Sequence, residues 1–82
     1  MIVPTKGIGA ERALLSVGAQ ICIVATEPMT VSGLWKGLQD WRRKHEHDSP
    51  VTFAWFALAL DMLYALRVIE YEGGLVRRVG SN

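Results

Sequence analysis

Residues 68–79 read Val68-Ile69-Glu70-Tyr71-Glu72-Gly73-Gly74-Leu75-Val76-Arg77-Arg78-Val79. A Gly-Gly pair between two runs of alternating apolar and polar residues predicts a β-hairpin with a two-residue turn. In that register Glu70 faces Arg77, and Tyr71 faces Val76. Ile69, Tyr71 and Val76 then share one face, which we expect to be the inner face of the hairpin.

Three helical segments are predicted before the hairpin. Apolar residues recur at spacings of three and four over residues 10–25, and Pro28 prevents that helix from continuing. A second helix follows Thr30, the predicted N-cap, and runs to about residue 44. A third runs from residue 51 or 52 to residue 67. Residues 1–9, which contain Pro4, Gly7 and Gly9, are expected to form an extended arm.

Three helices followed by a hairpin is the element order of a winged-helix domain. The short link from Pro28 to Thr30 also favours that fold. We therefore expect a mainly α, winged-helix-like fold in which residues 1–82 form a single domain. The alternative is a three-helix bundle with a disordered tail.

Composition and charge exclude several classes of protein. The net charge of +1 over 82 residues gives no global attraction to nucleic acid. Cys22 is the single cysteine, which excludes an internal disulfide and suits a reducing compartment, and its apolar neighbours predict a buried structural thiol. The apolar stretch over residues 53–66 is interrupted by Asp61 and is shorter than the roughly 20 residues of a membrane span. The first residues lack the pattern of a signal peptide, so a cytoplasmic protein is expected.

The third helix is the segment that would read DNA in a winged-helix protein, and its sequence does not suit that task. A reading helix carries Arg, Lys, Asn or Gln toward base edges and phosphates. If Phe56 and Leu63 face the core, the outward side instead carries Trp55, Leu58 and Met62. A helix that is apolar on all sides is normally buried on all sides.

A domain with three helices cannot cover its own third helix completely. We therefore expect Trp55, Leu58 and Met62 to contact another protein chain, since exposed apolar patches mark interaction sites. The alternative is that Trp55 and Met62 lie under the N-terminal arm. Asp61 on this helix would repel phosphate, which disfavours DNA here.

The second helix is expected to supply a separate contact. Its apolar stripe contains Trp35, Leu38 and Trp41. We assign Trp35 and Leu38 to the core, and Trp41, one turn later, to a second interface. Gly33 and Gly37 lie four residues apart, which predicts a close approach of a neighbouring backbone.

Two basic clusters in the sequence are candidate phosphate contacts. Arg42-Arg43-Lys44 lies at the end of the second helix, where positive charge stabilises the helix dipole. Arg77 and Arg78 lie on the hairpin and are the residues that would contact a DNA backbone. Glu70 and Glu72 on the partner strand offset their charge, so we expect such contact to be weak.

No catalytic, cofactor or metal site is predicted. His45-Glu46-His47-Asp48 is interpreted as a polar loop, because no second cluster of metal ligands accompanies it. No motif places a histidine beside a serine, and Gly7-Ile8-Gly9 lacks the rest of a dinucleotide fingerprint. We therefore expect no enzyme, no cofactor and no small-molecule substrate.

Five segments of the chain are informative when taken in order: Pro4-Thr5-Lys6-Gly7-Ile8, Arg12-Ala13-Leu14-Leu15-Ser16-Val17-Gly18-Ala19, Met29-Thr30-Val31-Ser32-Gly33-Leu34-Trp35, Phe53-Ala54-Trp55-Phe56-Ala57-Leu58-Ala59-Leu60-Asp61-Met62-Leu63-Tyr64 and Ile69-Glu70. Together they resemble the short middle components of bacterial ABC-three-component systems. The resemblance covers nearly the whole chain and rests on order and spacing. It implies an adaptor without an active site, encoded between an effector and an ATPase of the SMC or Rad50 type, in a system similar to Lamassu-like anti-phage defences.

Two hypotheses follow from the sequence. The first is a protein–protein adaptor that meets DNA mainly indirectly, through its complex. The second is a winged-helix transcription regulator that forms a homodimer through its third helix and contacts DNA with its hairpin.

Overall fold

A computed structural model of the chain describes residues 9–45 and 50–80. Its elements are α1 (Gly9–Val24), α2 (Val31–Lys44), α3 (Phe53–Ala65), β1 (Ile69–Glu72) and β2 (Leu75–Arg78). The predicted order of three helices and a hairpin is confirmed. The alternative of a bundle with a disordered tail is wrong, because the tail forms the two paired strands. The predicted arm lies outside the described residues except for Gly9, which begins α1.

Threonine side chains fix where α2 and α3 begin. The Thr30 hydroxyl oxygen accepts a hydrogen bond from the Gly33 amide at 3.1 Å, as the sequence predicts. The Thr52 hydroxyl does the same for the Trp55 amide at 3.2 Å. Each bond satisfies one of the amides that a first helical turn leaves without an intrahelical partner.

The hairpin has the register that the Gly-Gly pair predicts. Glu70 pairs with Arg77, and Tyr71 pairs with Val76. Gly73 and Gly74 have φ values of +61° and +81°, which a type I′ turn requires at both central positions. Ile69 and Val76 are buried on the inner face, as expected. Tyr71, near the turn, is 46% exposed, so the expectation that the core encloses it is wrong.

The link between α1 and α2 is joined to the hairpin. Met29 and Val76 exchange backbone hydrogen bonds of 3.0 and 2.8 Å, which form an isolated antiparallel bridge beside β2. This short segment between the first two helices thus pairs with the hairpin, which is compatible with a winged-helix arrangement. The bridge also holds the hairpin against the start of α2.

One hydrophobic core joins the three helices and the hairpin. Its fully enclosed side chains come from every element and include Ile21, Leu34, Leu38, Phe56, Ile69 and Val76. The core assignment of Leu38 is confirmed. Trp35 is half-buried against this core, with its ring 5.0 Å from that of Phe56 and 5.4 Å from that of Phe53.

Two glycines allow the helices to pack closely. A Cβ on Gly18 of α1 would lie 2.9 Å from the Met62 methyl carbon on α3, and a Cβ on Gly37 of α2 would lie 2.8 Å from Val24. The close approach predicted at Gly37 is therefore present, although a side chain makes it. At Gly33 the near atom is the hydroxyl of its own N-cap. Gly18 was not singled out from the sequence.

Candidate interaction surfaces

The outer face of α3 is apolar apart from one acidic residue. The side opposite the buried Phe56 and Leu63 consists of Ala54, Leu58, Asp61 and Ala65, all exposed, and Leu58 shows half of its surface to solvent. No Arg, Lys, Asn or Gln lies on this face. It therefore has no side chain that could donate hydrogen bonds to phosphates or base edges.

Trp55 and Met62 lie on one flank of α3, between the core and the outer face. Both are half-buried, and the Met62 methyl group fills the space beside Gly18 on α1. Leu58 thus points outward as predicted, whereas Trp55 and Met62 are turned toward α1. The reason is that Gly18 has no side chain, so α1 and α3 come close enough to cover this flank.

Trp55 lines a groove where the three helices meet. The groove has a volume of about 330 Å³, and its apolar walls are Ala13, Val17, Pro50, Val51 and Trp55. The alternative that the N-terminal arm covers Trp55 and Met62 concerns residues outside those described. The role of Trp55 in binding another chain therefore stays a prediction. The structure adds that Trp55 lies in a concave site.

A hydrogen-bonded polar group lies within the groove. The buried Gln20 accepts a hydrogen bond from Arg42 Nη1 at 2.7 Å and donates one from its amide nitrogen to Ser16 Oγ at 3.2 Å. Because the amide of Gln20 is paired on both atoms, its burial does not carry the cost of an unsatisfied group. The bond to Arg42 also joins α1 to the end of α2.

Trp41 lies near the end of α2, on the same helical face as the core residues Leu34 and Leu38 but outside the core cluster. It is half-buried, and its ring stacks on the exposed His45 ring with 4.2 Å between centroids. His45 Nδ1 also lies 2.8 Å from the Trp41 carbonyl oxygen. The predicted role of Trp41 as a second contact stays a prediction.

The basic residues beside Trp41 have local roles. Arg43 forms an ion pair with Asp40 one turn earlier, and the hydrogen bond from Arg43 lowers the pKa of the Asp40 carboxyl. Lys44 and Arg43 stand in the last turn of α2, where cations stabilise exposed carbonyl groups.

The two hairpin arginines differ in their contacts within the fold. Arg77 forms ion pairs with both Glu70 and Glu72, the second through its Nε at 3.1 Å. Arg78 is half-buried, and its buried Nε has no hydrogen-bond partner among the described residues. A phosphate would have to compete with these carboxylates for Arg77. The predicted DNA contact of the hairpin thus has weak support from this arrangement.

Residues 3–79 of the chain match the family described as ABC-three component (ABC-3C) system Middle Component 6. The chain belongs to this family. The comparisons with curated proteins and with solved structures gave no match. A middle component is one part of a system with several components, so the family implies protein partners.

Two exposed apolar surfaces of the middle component were not identified from the sequence. On α1, Leu15 and Ile23 are 58% and 52% exposed. Beside the hairpin, the rings of Tyr64 and Tyr71 lie 5.3 Å apart, and Tyr64 lines a pocket of about 430 Å³ at the end of α3. The first surface is indicated in the sequence by apolar residues that recur every four positions in α1. The second depends on how the hairpin folds back onto α3.

The single thiol, the metal-ligating side chains and the helix lengths of the middle component were compared with what reactive, metal-binding and membrane-spanning proteins require. Cys22 is half-buried, and burial raises the pKa of its thiol above the usual value despite the opposing effect of Arg78. Within residues 9–45 and 50–80, no three His, Cys, Asp or Glu side chains are grouped so that they could hold a metal ion. In the same part of the chain, no helix has the length and apolar character needed to cross a bilayer.

Proposed function

We propose that this middle component is a non-catalytic adaptor that joins an ATPase of the SMC or Rad50 type to an effector in a Lamassu-like anti-phage system. The observation that carries the proposal is the outer face of α3. On this face Leu58 is exposed among alanines, and Asp61 is the one charged residue that the structure places there. A face of this kind suits a protein partner and disfavours DNA.

The groove beside this face extends the proposed interface. Trp55 forms one wall, and Arg42, held by Gln20, supplies a polar group among apolar ones. Binding sites in proteins commonly combine apolar walls with a few positioned polar groups, which set orientation. A partner that covers Leu58 and inserts a side chain beside Trp55 would use both features.

An adaptor needs a second surface, and Trp41 supplies it in this proposal. It lies on α2, whereas Leu58 projects from α3 on the side away from the core. The ring of Trp41 and its stacked His45 form a small aromatic site of the type enriched in interface hot spots. One partner would therefore bind at α3 and the other at the end of α2.

The alternative function, a homodimeric winged-helix regulator, has less support. Its DNA-binding hairpin would rely on Arg77 and Arg78, but Arg77 already pairs with Glu70 and Glu72. The four charges sum to zero, so the hairpin offers no net attraction to a phosphate backbone.

The proposal is tested by replacing Leu58 with serine. Leu58→Ser removes exposed apolar surface without disturbing the core, so the protein should fold and should lose at least ten-fold in recovery of one partner from its own system. Leu66→Ser is the matched control, because Leu66 is similarly exposed but is the C-cap residue of α3 and lies outside the surfaces described above. The measurement is co-purification of the co-expressed system, with circular dichroism to verify folding. Equal recovery of every partner with Leu58→Ser would refute the proposed α3 interface.

A further inference from the structure

An exposed carboxylate on α3 stands between an apolar side chain and an aromatic ring. Leu58, Asp61 and Tyr64 are all exposed and follow one another at intervals of three residues. Side chains with this spacing are neighbours on the surface of a helix. Asp61 therefore has Leu58 on one side and the Tyr64 ring on the other. It forms no ion pair with any residue that the structure describes.

The hairpin brings a second aromatic ring to the same place. The rings of Tyr64 and Tyr71 lie 5.3 Å apart with their planes inclined at 52°, so they do not stack face to face. Both side chains are about half exposed. Partial burial raises the pKa of the Tyr71 hydroxyl, and the Asp61 carboxylate raises it further, so that carboxylate is within electrostatic reach of the ring. We call Asp61, Tyr64 and Tyr71 the aromatic–acidic site.

This combination of groups attracts cations. The face of an aromatic ring attracts a cation that lies within about 6 Å of its centre. A carboxylate attracts the same cation and accepts hydrogen bonds from it. A guanidinium group is planar, so it can stack on a ring while its N–H groups donate to carboxylate oxygens, whereas an ammonium group has no planar surface for stacking. The aromatic–acidic site therefore suits an arginine side chain.

The ion-paired residues of the hairpin do not neutralise the site. Glu70 and Glu72 both pair with Arg77. Because successive side chains of a strand point to opposite faces, these two glutamates lie on the face of β1 opposite Tyr71. Their charges and that of Arg77 are therefore separated from the site by the strand itself.

Arg67 is the cation that follows α3 most closely, and it makes no ion pair with Asp61 in the described structure. Arg67 lines the pocket at the end of α3 together with Glu70, and neither Asp61 nor Tyr71 lines that pocket. A carboxylate thus accompanies Arg67 there. The counter-ion of Asp61 is left for a partner to supply.

We propose that the aromatic–acidic site binds an arginine side chain of the protein partner that covers Leu58. The inference rests on the proposed α3 interface and adds the chemistry of the partner to it. The partner would present an apolar side chain to Leu58 and, beside it, a guanidinium that stacks on a tyrosine ring and pairs with Asp61. Asp61 repels phosphate groups, so a polypeptide is the occupant that the charges favour over a nucleic acid.

Charge reversal at Asp61 tests the proposal in the co-expressed system. Asp61→Arg should fold, because the side chain is exposed, and should lower the recovery of one partner roughly ten-fold or more by placing like charges together. Asp61→Asn removes the ion pair alone and should lower recovery up to about five-fold. Glu11→Arg is the matched control, since it makes the same change of charge at an exposed position of α1 and should keep every partner.

The contribution of the ring is tested at Tyr71. Tyr71→Phe keeps the ring and should leave recovery of the partner nearly unchanged. Tyr71→Leu keeps an apolar side chain but removes the ring, and it should lower recovery up to about five-fold, the effect of an exposed cation–π contact. Equal recovery with the two variants would show that no cation stacks on Tyr71. Circular dichroism verifies that each variant folds.

These variants separate the arginine site from the adaptor function. Recovery of every partner with Asp61→Arg would overturn the arginine site. If Leu58→Ser still loses a partner in that case, the α3 interface stands without it. Recovery of every partner with both variants would refute the α3 interface as well.

Photo-cross-linking identifies the arginine itself. Ala65 is exposed four residues after Asp61, so a benzophenone amino acid in its place should cross-link the bound partner close to the site. We expect mass spectrometry to find an arginine in the linked segment. Changing that arginine to glutamate should abolish recovery of the partner, and Asp61→Arg should restore it. A linked segment without arginine, or no restoration by the paired exchange, would overturn the proposal.

Discussion

Arg67 adopts a backbone conformation that residues with a Cβ seldom occupy. Its φ is +64°, and it directly follows Leu66, the C-cap residue of α3. The Arg67 amide donates to the Tyr64 carbonyl at 3.0 Å, and the Val68 amide donates to the Leu63 carbonyl at 2.8 Å. This pair of bonds is a Schellman motif, in which glycine is the usual residue at the left-handed position. The strained residue therefore redirects the chain from α3 into β1.

Replacing Arg67 with glycine should stabilise the protein. The left-handed conformation costs a residue with a side chain about 1–2 kcal/mol, and glycine offsets part of that gain through its larger entropy when unfolded. We expect Arg67→Gly to raise the free energy of unfolding by up to about 1 kcal/mol, with a corresponding rise in Tm. Thermal or urea unfolding measures the change.

Arg67→Ala is the control for this prediction, because it removes the same side chain and keeps the Cβ. It should give no such gain. Equal stabilisation by both substitutions would mean that the Arg67 side chain is unfavourable and that the backbone conformation is not the cause.

At single positions the sequence was informative where a residue type has one dominant use. Thr30 as an N-cap and Gly73-Gly74 as a hairpin turn are of this kind. The left-handed Arg67 could not be predicted, since arginine gives no signal for that conformation. Nor could the burial of Gln20, which depends on Arg42 reaching it from another helix.

Among the elements, α2 and α3 differ in how clearly their sequences specify an orientation. α2 has one apolar stripe, so the core position of Leu38 could be predicted. α3 is apolar almost throughout, and periodicity alone did not determine how far Trp55 and Met62 turn toward α1. Contact of Met62 with Gly18 determines it, and that contact involves two distant parts of the chain.

The two tryptophans of α2 should respond differently to truncation. Trp35 packs against the rings of Phe53 and Phe56, whereas Trp41 stacks on the exposed His45. Trp35→Ala should cost about 3 kcal/mol, the lower end of the range for core aromatic residues, and lower the Tm steeply. Trp41→Ala should fold, with a loss of about 1 kcal/mol or less, and should lose one partner.

Thermal unfolding of both variants, followed by co-purification, checks this prediction. Similar losses of stability in the two variants would assign Trp41 to the core and remove the main support for a second binding surface.

For the whole molecule, the order of elements was predictable because each is specified locally by caps, periodicity and the turn. The arrangement of exposed surfaces was not, since it depends on which faces the packing leaves uncovered. Leu15 and Ile23 on α1 and the Tyr64–Tyr71 pair became visible as surfaces only when the three helices and the hairpin were assembled. Belonging to a family of middle components gives these surfaces a context, because such a protein works beside others.

A bridging assay shows whether this chain holds two other proteins together, as proposed. A tagged ATPase from the same system would be purified with its effector, once with this chain co-expressed and once without it. We expect the effector to be recovered with the ATPase only when this chain is present, and in proportion to it. Equal recovery of the effector in the absence of the chain would mean that the chain does not bridge the two proteins.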